Sequence, residues 1–142
     1  MYKNSMTIKF SAISQNESFA RSVIACFALQ LNPSLAQVSD IKTAVSEAVT
    51  NAIVHAYPDE KGQIEMQADI EENELHINIV DNGVGIENLS KALEPFYTTK
   101  PDDERSGMGF TIMKSFMDEV RVESQKGVGT KVFMTKILKT NL

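Results

Sequence analysis

The apolar patterning of this chain breaks off at Asp81-Asn82-Gly83-Val84-Gly85 and does not resume until Arg105-Ser106-Gly107-Met108-Gly109. The 21 positions between Gly85 and Gly107 hold Pro95, Pro101, the triplet Thr98-Thr99-Lys100 and the acidic cluster Asp102, Asp103 and Glu104. A connection of that length inside one domain is either a functional cover or an unstructured excursion. Whatever fold the chain takes must leave an edge open for it. The spacing predicts a lid over about 83–108 that closes on a ligand. Six of the seven glycines fall between 83 and 129, so backbone freedom is concentrated around the expected cleft.

At 142 residues the chain has the size of a single domain with one core. Hydrophobic residues make up 42% and charged residues 23%, the balance of a soluble globular protein. A net charge of -5 argues against nucleic acid or an anionic membrane as the main partner. The start, Met1-Tyr2-Lys3-Asn4-Ser5, lacks the apolar run of a signal peptide, and no later segment is long and apolar enough to span a bilayer. A cytoplasmic location is expected. The single cysteine, Cys26, lies among apolar neighbours and reads as a small buried hydrophobe.

Met6, Ile8 and Phe10 alternate with polar residues, as in a half-buried strand. Ser14 and Glu17 have capping-box spacing, and a helix should follow with Phe19, Val23 and Phe27 on its apolar stripe beside Ala20, Ile24 and Leu31. Asn32-Pro33 ends it. Ser34 and Gln37 offer a second box, opening a long helix to about Tyr57 through Ile41, Ala44, Val45, Ala48 and Ala52. The period then changes to two. Ile64 to Ile70 and Leu75 to Ile79 alternate on either side of Glu71-Glu72-Asn73-Glu74, which predicts a β-hairpin. Phe110, Met113 and Met117 predict one short helix, and Val120-x-Val122 with Val132-x-Met134 a closing hairpin around Gly127-Val128-Gly129. The order β-α-α-β-β-lid-α-β-β predicts an α/β fold of the α+β sandwich kind, with helices gathered on one face of an antiparallel or mixed sheet.

Several residues carry chemistry. Glu47, Asn51 and His55 recur every four positions, on the margin of the buried stripe, either as a solvated face or as groups reaching into a cleft. Asp81 shares the parity of Leu75, Ile77 and Ile79, so its carboxylate should point inward and require a donor, from the backbone or from a ligand. Gly83 and Gly85 permit either a tight turn or close approach by a ligand. Gly107-Met108-Gly109 leads into a helix N-terminus, where N–H groups favour anions such as phosphate. Lys100 and Arg105 would add positive charge from the lid. Thr130 is in step with Val132 and Met134 and should face the core side, as a pocket hydroxyl or as a satisfied buried threonine.

Taken together, these pieces resemble a known arrangement. Glu47-Ala48-Val49-Thr50-Asn51-Ala52 is similar to the N box of the GHKL ATPase/kinase superfamily, Asp81-Asn82-Gly83-Val84-Gly85 to its first glycine box, and Gly107-Met108-Gly109 to its second. Within that superfamily the chain resembles, nearly end to end, the anti-sigma factor serine kinases, and most closely the branch that acts on a sporulation sigma factor of the sigma F type. Gln15-Asn16-Glu17-Ser18-Phe19-Ala20-Arg21, Thr98-Thr99-Lys100-Pro101 and the run from Glu104 to Met113 carry this resemblance. Ala56 departs from it, since many relatives have glycine after the N-box histidine.

The resemblance implies a single GHKL-type domain over 1–142 with a Bergerat-type ATP-binding fold, its sheet mixed but mostly antiparallel. It implies ATP with Mg2+ as cofactors: Asn51 would ligate magnesium, Glu47 would act as general base, and Asp81, with Thr130 nearby, would receive the adenine amino group. Gly83 and Gly85 would shape the nucleotide site, and Ser106, Gly107, Met108 and Gly109 would line the phosphates. Thr98, Thr99, Lys100 and Arg105 would close over the phosphate end. It further implies a homodimer that holds a sigma factor and phosphorylates an anti-anti-sigma factor on serine, with Arg21 and Glu104 as partner contacts. The alternatives are a general-stress anti-sigma kinase, a nucleotide-gated binding module without kinase activity, and the catalytic domain of a histidine kinase.

Overall fold

The computed structural model describes residues 2–57, 62–86, 89–94 and 109–138. Strand β1 spans Lys3–Ser11, helix α1 Gln15–Ala28 and helix α2 Leu35–Asn51. A 3₁₀ turn at Leu29–Leu31 closes α1, and a π-helical turn at Ala52–Ala56 continues α2. The hairpin β2 (Gln63–Glu71) and β3 (Glu74–Asp81) follows, then a one-turn helix α3 (Leu89–Ala92), helix α4 (Gly109–Phe116) and the hairpin β4 (Glu119–Gln125) and β5 (Gly129–Ile137). The five strands form one sheet in the order β1-β2-β3-β5-β4, and every pairing among the described residues is antiparallel. The fold is thus the expected α+β sandwich, with its sheet on the antiparallel side of the mixed arrangement the resemblance implied.

One sheet face is apolar because alternate residues point to it. Ile64, Met66, Ala68 and Ile70 of β2, Leu75, Ile77 and Ile79 of β3, and Val132 and Met134 of β5 are all buried there. They meet Ala20, Ile24 and Ala28 of α1, Ile41, Ala44, Val45, Ala48 and Val49 of α2, and Met113 of α4. Full burial of each large aliphatic side chain contributes about 1.5–3 kcal/mol. Helix α2 packs against both α1 and α4. The opposite sheet face is polar, with an ion pair from Lys9 to Glu65 and hydrogen bonds linking Asn78 to Gln67 and His76 to Thr135. Lys136 joins the layers, its ammonium donating to Asp40 at 3.2 Å and to the Phe116 carbonyl at 2.5 Å.

Three local expectations are corrected. The buried stripe of α1 is centred on Ala20, Ile24 and Ala28, not on Phe19, Val23 and Phe27, and Phe19 is 49% exposed while its ring meets Phe10 edge-on. Small side chains let the helix lie close on its neighbours, and the bulky ones are displaced to the margin. Cys26 is exposed, since it lies about 200° around the helix from the buried Ile24. Ser14 makes no side-chain capping bond, because its own backbone is helical and its carbonyl takes the Glu17 N–H at 3.2 Å; the Glu17 carboxylate, for its part, accepts the Ser46 hydroxyl and pairs with Arg21. The second box forms as expected, Gln37 N–H donating to Ser34 Oγ at 3.1 Å and Ser34 N–H to Gln37 Oε1 at 2.8 Å.

Candidate functional site

The last residue of β3 carries the inward parity of its strand past the end of the apolar face, which leaves Asp81 buried, only 7% exposed. Its Oδ1 accepts two backbone N–H groups, from Gly83 at 3.0 Å and from Thr130 at 3.2 Å. Desolvation pushes the Asp81 pKa above its ordinary 3.8, and the two backbone bonds pull it part of the way back. Both donors meet at Oδ1, which leaves Oδ2 able to take an N–H from a ligand.

Thr130 is the register partner of Asp81 across the β3–β5 ladder and is buried beside it. Its hydroxyl lies 2.8 Å from Ser124 Oγ. Ser124 Oγ also accepts the Ile86 N–H at 2.7 Å and lies 3.1 Å from the Gly129 carbonyl. The loop after Asp81 is held by its neighbours along its length. Asn82 N–H donates to Tyr57 Oη at 2.9 Å, Val84 N–H to the Ala56 carbonyl at 2.9 Å, and Gly127 N–H to the Val84 carbonyl at 2.7 Å.

These contacts explain two glycines. A Cβ at Gly83 would lie 2.2 Å from the Ala56 carbonyl oxygen, so the loop rests on the end of the helix through bare backbone. Gly129 has φ +140° and a Cβ there would meet the Asp81 carbonyl oxygen at 2.1 Å. Gly85 sits in the same loop, with φ +75°.

Glu47 and Asn51 lie four residues apart on α2, both half-buried. The line does not continue to His55 in the same phase, because the bonding widens to a π turn directly after Asn51. That turn ends at Ala56, the residue on which Gly83 and Val84 rest. The position where Ala56 departs from the resemblance is thus a packing contact of the glycine loop. Gly109 is buried as the first residue of α4, which packs on α2. Asn51, Asp81, Gly83, Gly85, Gly109 and Thr130 are carried by adjoining elements. Thr98, Thr99, Lys100, Glu104, Arg105, Ser106, Gly107 and Met108 lie outside the described residues. Arg21, on α1, forms an ion pair with Glu17 at 3.3 Å.

Sequence reasoning missed Ser124 and Tyr57. Ser124 does have a signal, since it shares the parity of Val120 and Val122 and precedes the Gly127-Val128-Gly129 turn. An inward hydroxyl at a strand end needs a partner, as Asp81 does. The arrangement as a whole sets a carboxylate next to a hydroxyl where the ends of β3 and β5 meet. Such a pair recognises an amino group adjacent to a ring nitrogen.

Residues 10–136 match the family described as the histidine kinase-like ATPase domain. An anti-sigma F factor of Clostridium acetobutylicum is 57% identical over 136 residues, covering 96% of this chain and 95% of that protein. An anti-sigma F factor of Caldanaerobacter subterraneus is 54% identical over 140 residues, covering 99% and 98%. Among solved structures, the RsbU and RsbW domains of a Mycobacterium tuberculosis protein superpose with a TM-score of 0.68 at 18% identity, over 95% of this chain and 32% of that one. The catalytic domain of the histidine kinase ThkA superposes at 0.59 and 15% identity, over 94% of this chain and 96% of that one. Through its sequence and its fold alike, the chain belongs to the histidine kinase-like ATPase family, and within it to the anti-sigma F factors.

Proposed function

We propose that the protein is a homodimeric anti-sigma factor that binds a sporulation sigma factor of the sigma F type and, with ATP and Mg2+, phosphorylates an anti-anti-sigma factor on serine. The observation that carries this reading is the Asp81–Thr130 pair at the cleft floor: a buried carboxylate with two backbone donors on one oxygen, beside a hydroxyl. It fits the amino edge of adenine. In this reading Asp81 Oδ2 accepts the adenine amino group and Thr130 stands against the neighbouring ring nitrogen. Gly83 and Gly85 keep the loop low beside the base, and 83–108 forms the lid of a domain that spans 1–142.

ATP, when bound, supplies the phosphoryl group to be transferred. Asn51 would hold magnesium through its amide oxygen, and the ion would neutralise charge on the phosphates. Glu47 takes the proton of the acceptor serine hydroxyl. Ser106, Gly107, Met108 and Gly109 present backbone N–H groups to the phosphates at the start of α4. Thr98, Thr99, Lys100 and Arg105 bring hydroxyls and positive charge from the lid. Arg21 and Glu104 contact protein partners. The partial exposure of Arg21 supports this contact, and its Glu17 partner also holds Ser46, the neighbour of Glu47.

The test is incubation with γ-labelled ATP, magnesium and an anti-anti-sigma protein, followed by phosphosite mapping by mass spectrometry. Stoichiometric phosphoserine on the partner is expected. Glu47→Ala should lower transfer by at least about a hundredfold while nucleotide binding persists. Label on His55 or His76, or transfer unchanged by Glu47→Ala, would overturn the assigned chemistry.

A further inference from the structure

The β2–β3 hairpin turns through two residues, Glu72 and Asn73, and its strands stay in register from Glu71 opposite Glu74 to Ile64 opposite Asp81. A two-residue hairpin closes on a hydrogen-bonded pair, and bonded pairs recur at every second position along an antiparallel ladder. Counted from Glu71 and Glu74, the bonded pair just beyond Asp81 would be Gln63 opposite Asn82, with the Asn82 N–H aimed at the Gln63 carbonyl. A side chain stands between those two groups. The Asn82 N–H donates to Tyr57 Oη at 2.9 Å, and the Tyr57 hydroxyl donates to the Gln63 carbonyl at 2.8 Å. One phenolic hydroxyl thus takes the place of a rung of the sheet, accepting from one strand end and donating to the other.

Two bonds in series span more than one. Asn82 is therefore held farther from Gln63 than a direct bond would hold it, and β2 and β3 open directly beyond Asp81. The ring packs against the core and lies over bare backbone, since a Cβ at Gly62 would meet ring carbons at 2.2 Å to 2.4 Å. Tyr57 also follows Ala56, whose carbonyl takes the Val84 N–H. Consecutive residues at the end of the π turn thus fasten the loop at 82 and at 84. Between them lies Gly83, whose N–H goes to Asp81 Oδ1.

We propose that Tyr57 is a positioning residue for base recognition: by bridging Gln63 and Asn82 it fixes the loop whose Gly83 N–H orients the Asp81 carboxylate toward the purine amino group. This rests on the reading that the base sits against Asp81. One donor to Oδ1 comes from β5, through Thr130, and the other from this loop. The carboxylate keeps a single orientation only while the loop stays where Tyr57 sets it. Tyr57 acts through Asp81 and needs no contact with the nucleotide.

The experiment is calorimetric titration of the full chain with ADP and magnesium, in a double-mutant cycle of Tyr57→Phe and Asp81→Asn. Tyr57→Phe keeps the ring over Gly62 and removes only the oxygen. It should weaken ADP by roughly threefold to tenfold, the worth of one hydrogen bond. Asp81→Asn keeps an oxygen for Gly83 and Thr130 and turns an amide toward the base, so that no carboxylate is left to orient. In that background Tyr57→Phe should cost less than about twofold, because the two residues act as one unit. Gly62→Ala, which pushes the ring aside with its hydroxyl intact, should weaken ADP with the same dependence on background. Equal losses in both backgrounds would reduce Tyr57 to a structural part and overturn the proposal. A loss from Asp81→Asn with none from Tyr57→Phe would remove the role of Tyr57 alone; an Asp81→Asn variant as tight as wild type would show that the base does not lie at Asp81.

Discussion

At the scale of single residues, burial of the Asp81 carboxylate costs stability once it is charged. Burial raises its pKa above the ordinary 3.8, so between that value and the raised one the folded protein keeps a proton that the unfolded chain releases. The folded state binds more protons in that window, and stability therefore falls as pH rises through it. The Asp81 contribution is fully present below pH 3.8 and is lost above the raised pKa. Asp81→Asn keeps an oxygen for the Gly83 and Thr130 N–H groups and removes the charge. The unliganded variant should melt higher than wild type at neutral pH and lose that advantage at low pH. Its affinity for ADP should fall by about tenfold or more, the loss of a charge-assisted hydrogen bond. Scanning calorimetry across pH and nucleotide titration check the two halves. A variant that is both less stable and equally tight would contradict the account of this carboxylate.

At the scale of elements, the site depends on three backbones meeting without side chains between them: the end of α2, the loop after β3 and the start of β5. Gly129→Ala should be severe, since the added Cβ would meet the Asp81 carbonyl oxygen at 2.1 Å and φ is +140°. A loss of at least about 2 kcal/mol is expected, from strain together with displaced backbone. Urea denaturation measures it, and a loss below about 0.5 kcal/mol would mean that the strands separate there at little cost. The elements were largely legible in the sequence. The strands were readable because one face is apolar and the other polar, so alternation in Ile64 to Ile79 reports burial directly. The rotation of α1 was not, since Phe19 and Phe27 suggested burial by size while the sheet and α2 selected Ala20, Ile24 and Ala28. The Ser14–Glu17 box failed because Ser14 is itself helical and its carbonyl takes the Glu17 N–H, while Arg21 and Ser46 hold the Glu17 carboxylate. Asp81 and Thr130 were legible from parity. The contact between Ser124 and Ile86 was not, because the two are 38 positions apart and only the fold brings them together.

At the scale of the whole molecule, the chain order does not follow the sheet order. β3 lies against β5, with β4 outside it, and the ladder runs in register from Glu74 opposite Ile137 to Asp81 opposite Thr130. Residues 2–81 supply β1, β2, β3, α1 and α2, and residues 109–137 supply α4, β4 and β5. No strand pairing falls within 87–108 among the described residues. The β3–β5 ladder therefore joins the earlier and the later part of the chain. Separate polypeptides of 1–94 and 109–142, produced together, should find each other through the β3–β5 seam and co-elute as one complementing pair. Failure of the two to associate would show that the covalent link is needed to bring β3 and β5 into register. Success would make the interval between them a natural place to insert a reporter, since only the reunited pair would contain Asp81 opposite Thr130.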